Sequence, residues 1–243
     1  MAGFTLIPVI DLMGGIVVHA RAGERARYEP LRSRLADGSE AVDIVRGLVA
    51  LHPFDTLYIA DLNAIQRQGD HLLLIERLRA EFPQLTFWID AGFEDVDRCR
   101  RFLDAELGEL VLGSESQRDL AVLDTLKDEP RFVLSLDFKG DERLGPGALF
   151  EHTDLWPERV IVMTLARIGG AAGPDLARLA AIREQAPDRR LFAAGGVRDE
   201  DDLAALAATG AAGVLLASAL HGGRLTAGEL VAIGGRPTLD ERN

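Results

Sequence analysis

Two acids stand at the ends of runs that otherwise read as core. Asp11 closes "FTLIPVID" and is followed by "LMGGIVVHA"; Asp137 closes "RFVLSLD" and is followed by "FKGDERLG". A carboxylate gains nothing from burial, so its place at a strand end points to what that end faces. Two carboxylates meeting at one site can divide the work of general base and general acid, provided their surroundings separate their proton affinities.

A second chemistry is written in glycine and serine. "AAGGVRDEDDL" carries Gly195 and Gly196, and "GVLLASAL" carries Ser218. A glycine after a strand lets backbone N–H groups approach an anion closely, and the following helix start adds its dipole. A related pair comes earlier: "WIDAGFED" with Gly92, and "LVLGSES" with Gly113 and Ser114. Gly92 to Gly196 and Ser114 to Ser218 span the same interval of about 104 residues. The repeat predicts a second phosphate cradle, although Asp90 and Ala91 stand where the later copy has Ala194 and Gly195. A carboxylate there opposes phosphate.

The elements that must position these residues are legible as eight short apolar runs: "FTLIPVID", "DTLYIAD", "LTFWID", "ELVLG", "RFVLSLD", "RVIVMT", "RLFAAG" and "AGVLLA". Continuous apolarity suits strands covered on both faces, as in a parallel sheet. Amphipathic stretches such as "SEAVDIVRGLVALH" and "DHLLLIERLRAEF" separate them. Eight βα units in series predict a (β/α)8 barrel of the TIM type, built from two similar half-barrels at about 1–128 and 129–230, with a tail at about 231–243. An open doubly wound sheet is the competitor, but the GxGxxG of its dinucleotide-binding form is absent after the first run. In the barrel, strands 1 and 5 are opposite, so Asp11 and Asp137 face each other across the C-terminal mouth.

Composition bounds the partners. The chain has 243 residues, 47% hydrophobic and 27% charged, with net charge −12. That balance opposes binding to nucleic acid or to an anionic membrane. Cys99 has no partner for an internal disulfide, the five histidines form no HExxH pair, and no metal site is expected. The N-terminal apolar run is too short to span a bilayer and follows no basic segment, so a cytoplasmic protein acting on a small phosphorylated metabolite is expected.

"IPVIDLMGG", "LYIADLNA", "VLGSES", "SLDFKGD", "GGAAGPD", "AAGGVRDEDDL" and "GVLLASAL" together resemble the histidine-biosynthesis barrels, the ribotide isomerase and the related cyclase subunit. The resemblance covers nearly all eight units. It implies Asp11 as general base and Asp137 as general acid of an Amadori aldose–ketose rearrangement on a substrate with a phosphate at each end, without cofactor or metal. It also implies substrate contacts from Gly92, Gly113, Ser114, Thr164, Gly195, Gly196 and Ser218. The chain departs from the isomerase pattern at Leu165 after Thr164, at Phe93-Glu94, at His19 where relatives often carry Arg, and in Trp156, which precedes strand 6. The stretch Gly23, Arg25, Tyr28, Pro30 is similar to a branch of unassigned function associated with methanogens and methylotrophs. Arg25, Arg27, Arg32 and Arg34 crowd this first loop and offer guanidinium groups for an anion. A paralogous enzyme of another pathway, such as one-carbon cofactor synthesis, and a non-catalytic phospholigand sensor are the alternatives; oligomeric state stays open.

Overall fold

Each apolar run forms a strand in the computed structural model, which describes residues 3–21, 23–170 and 172–234. The strands are β1 Thr5–Met13, β2 Thr56–Asp61, β3 Thr86–Asp90, β4 Glu109–Gly113, β5 Phe132–Lys139, β6 Arg159–Thr164, β7 Arg190–Ala194 and β8 Gly213–Leu216. All eight pair in parallel in chain order, and β8 returns to β1 (Thr5 opposite Gly213), so the sheet closes. The fold is a (β/α)8 TIM barrel. Helices lie between the strands, among them Ala41–Leu51, Leu72–Glu81, Val96–Asp104 and Leu176–Gln185. Asp95, Asp175 and Asp199 cap helix starts, their carboxylates accepting from the N–H groups of Arg98, Arg178 and Asp202.

Closure fixes which side chains point inward. One residue from every strand fills the barrel interior: Ile7, Tyr58, Trp88, Val111, Val133, Ile161, Phe192 and Leu215. Trp88 and Phe192, on opposite strands β3 and β7, meet edge to face with ring centroids 5.0 Å apart. A larger apolar layer packs the outer faces of the strands against the helices. Inward residues recur with period two, so the next inward positions rise toward the C-terminal mouth.

Both aspartate-bearing strands turn back on themselves. β1 reverses at Gly14-Gly15 (φ +61° and +86°) into Ile16–His19, with Asp11 opposite Val18. β5 reverses at Gly140 (φ +61°) into Glu142–Leu144, with Asp137 opposite Leu144. Glycine takes these positive φ values without strain. The β1 hairpin is fastened by β2: fully buried Asp61 accepts from the Ala64 N–H, the His71 N–H and His71 Nδ1, and Gly15 N–H donates to His71 Nε2 at 3.0 Å. The helix Ala227–Gly234 runs past the expected tail boundary at 230. The remainder of that tail, 235–243, lies outside the described residues.

Candidate active site

Two steps of alternation above the interior layer, β1 delivers Asp11 and β5 delivers Asp137; one step above it, β3 delivers Asp90. All three line one cavity of about 430 Å³ at the C-terminal mouth. Its wall also includes Gly195, Gly196, Ser218 and Arg25.

Asp137 is buried and densely held. Its Oδ1 accepts from Ser135 Oγ at 2.7 Å, and its Oδ2 accepts from Ser114 Oγ at 3.2 Å and the Glu115 N–H at 3.1 Å. Burial pushes its carboxyl up to about 7, the Glu115 and Asp90 charges add to that, and the Ser135 and Glu115 N–H bonds resist it. Asp11 accepts no side-chain or loop hydrogen bond among the described residues. Burial pushes it to about 7 against the pull of the Arg25 guanidinium. Burial carries Asp90 to about 6. Both members of the 1–5 pair are thus poised to exchange a proton near neutrality, one beside a cation and the other beside anions.

The two anticipated cradles differ in construction. After β7, Gly195 and Gly196 hold φ of +102° and +93°, and a Cβ on Gly196 would stand 2.2 Å from the Gly173 carbonyl oxygen. Only glycine fits, and among the described residues the Gly195 and Gly196 N–H groups donate to no backbone or side-chain acceptor. After β3, the Gly92 N–H donates to Asp90 Oδ1 at 3.0 Å, while Ser114, fully buried, and the Glu115 N–H are bound to Asp137. Gly92, Gly113 and Ser114 are not among the residues lining the cavity. The two turns therefore differ: after β3 the Gly92 N–H, the Ser114 hydroxyl and the Glu115 N–H are already bound by carboxylates.

The first loop reaches the mouth through one arginine. Arg25 lines the cavity and its Nη2 donates to Glu115 Oε1 at 2.6 Å, whereas Arg27 pairs with Glu24 on the surface. His19 flanks a small side cavity together with Asp11, Ser218 and His221, its Nε2 3.4 Å from Ser218 Oγ. Thr164 is buried outside the wall, with Oγ1 donating to Asp175 Oδ2 at 3.5 Å. Trp156 donates from Nε1 to the Leu149 carbonyl and belongs to the outer core. Sequence reasoning did not single out Tyr58, Glu115 or Lys139 as site residues, and it took Asp90 only as an obstacle. The alternation from Trp88 to Asp90 carried the signal. Among the described residues, no three His, Cys, Asp or Glu side chains converge to hold a metal ion, and no helix is long and apolar enough to cross a membrane.

Comparison with known proteins finds matches along nearly the whole chain. The family model described as histidine biosynthesis protein matches residues 5–226. An uncharacterized protein of Methanocaldococcus jannaschii is 26% identical, covering 93% of this chain and 97% of its own. The 1-(5-phosphoribosyl)-5-((5-phosphoribosylamino)methylideneamino) imidazole-4-carboxamide isomerase of Myxococcus xanthus is 30% identical, covering 91% of this chain and 95% of its own. The isomerase of the same name from Lactiplantibacillus plantarum is 26% identical over 94% and 98%.

Proposed function

The chain belongs to the histidine-biosynthesis protein family, and from that membership we propose that it is an aldose–ketose isomerase carrying out an Amadori-type rearrangement on a phosphorylated sugar or ribotide. The observation that carries the reading is the joint presence of Asp11, Asp137, Gly195, Gly196 and Ser218 in the wall of one cavity. The phosphate rests on the Gly195–Gly196 turn and Ser218, which anchors the sugar so that its reacting carbons lie between the two acids. Asp137, kept protonated by burial and the neighbouring Glu115 charge, gives its proton to the ring oxygen and opens the N-glycoside to an iminium. Asp11, favoured as carboxylate by Arg25, takes the proton from the adjacent carbon. The resulting enaminol returns to the aminoketose, so no atom is gained or lost.

A second reading keeps this scaffold and acid pair but places the enzyme in another pathway. It is favoured by the Asp90 carboxylate on the Gly92 N–H, which departs from a substrate with a phosphate at each end. The test of the isomerase chemistry is turnover of phosphorylated aldosylamines, the ribotide of the named relatives included, by wild type, Asp11→Asn and Asp137→Asn. Each substitution is expected to lower kcat by on the order of a thousandfold while inorganic phosphate binds with unchanged affinity. Near-normal turnover in either variant removes that residue from the mechanism.

A further inference from the structure

We propose that Asp90 is a specificity-determining residue, and that the substrate carries one phosphate on the Gly195–Gly196–Ser218 pole and a protonated nitrogen, ammonium or amidinium, on the Asp90 pole. The inference rests on the phosphate cradle assigned above and extends it to the other end of the same cavity.

In the later half of the chain the position corresponding to Asp90 is Ala194, and the glycine N–H groups after it are free of protein acceptors among the described residues. In the earlier half, Asp90 Oδ1 sits on the Gly92 N–H, as an anion would. Its Oδ2 has one weak partner, the Tyr58 hydroxyl at 3.4 Å, longer than an ordinary O–H···O bond. Asp90 Oδ2 and Asp137 Oδ2 each lie 3.3 Å from the point where a Cβ on Gly113 would stand, so the missing side chain lets the two acid oxygens approach the same point. Arg25, in the wall of the same cavity, is taken up by Glu115, and Arg98 by the Ala91 and Gly92 carbonyls. A second phosphate here would meet the Asp90 and Asp137 carboxylates, with the Gly92 N–H already spent on Asp90. A cationic nitrogen would find a desolvated acceptor and form a charge-assisted bond.

Three probes with one spacer test this on the purified full chain by calorimetry: hexyl phosphate, aminohexyl phosphate and hexane bisphosphate, with inorganic phosphate as reference. The amine is expected to bind on the order of tenfold more tightly than hexyl phosphate, and the bisphosphate more weakly than either. Asp90→Asn, which keeps an acceptor for the Gly92 N–H, is expected to erase the amine preference. Asp90→Ala, which restores the residue of the later half, is expected to bring the bisphosphate level with the amine. Inorganic phosphate binding with the bisphosphate preferred in wild type, or an amine preference surviving in Asp90→Asn, overturns this inference alone. Absence of inorganic phosphate binding overturns the cradle itself, and the inference with it.

Discussion

At the scale of single residues, the candidate site holds its acids above their solution pKa. Asp11 titrates near 3.8 in the unfolded chain and at about 7 in the fold, because burial penalises its anion. A raised carboxyl of this kind favours the folded state fully below pH 3.8, and that contribution is lost as pH rises through about 7. Above that, the fold carries a desolvated charge that an amide would not. Asp11→Asn is therefore expected to stabilise the protein more at pH 8 than at pH 5, the difference being on the order of 2–3 kcal/mol. Chemical unfolding at the two pH values measures it. An equal effect at both would show that the acid is not held against its solution preference. The same substitution abolishes the proposed base, so the residue weakens the fold in favour of function.

At the scale of elements, the geometry of the proposed acid pair depends on how the strand ends are tied. Asp11 lies in the ribbon formed by β1 and Ile16–His19, and that ribbon is held by Asp61 through His71 and the Gly15 N–H. The ring of His71 donates from Nδ1 and accepts at Nε2, the arrangement of a neutral imidazole. Asp61→Ala would leave the His71 N–H, His71 Nδ1 and the Ala64 N–H without their acceptor in the core. A loss of about 3 kcal/mol is expected in urea unfolding, with the Gly14-Gly15 turn losing hydrogen-exchange protection. A change below about 0.5 kcal/mol would mean the strand end is positioned by packing alone. "LYIADLNA" drew attention only as a family motif. That its aspartate is a structural tie rather than a substrate contact depends on His71, ten residues later, folding back onto it.

At the scale of the whole molecule, the family scaffold is present but its two poles are unequal. The free glycine turn after β7 and the carboxylate-filled turn after β3 lead to one expectation in a cell: a histidine auxotroph lacking the ribotide isomerase grows weakly or not at all on this gene. Robust growth, with the purified protein converting the ribotide at ordinary enzyme rates, would overturn it. Much of this molecule was readable in the chain. Eight apolar runs, glycine and aspartate at their ends, and a repeat of about 104 residues were enough for the barrel, and they put Asp11 and Asp137 on one rim, because a closed parallel sheet sends every strand's C-terminal end to the same side. Ring closure and inward alternation were what tertiary structure added. They turned Asp90 into the cavity, drew Ser114 and the Glu115 N–H onto Asp137, left Thr164 behind the wall and brought only Arg25 of the first loop's arginines into it. Local sequence states which groups can accept or donate a proton, but hydrogen-bond partners lie tens of residues apart, and only the packed fold decides which groups are spent on one another and which remain for a ligand.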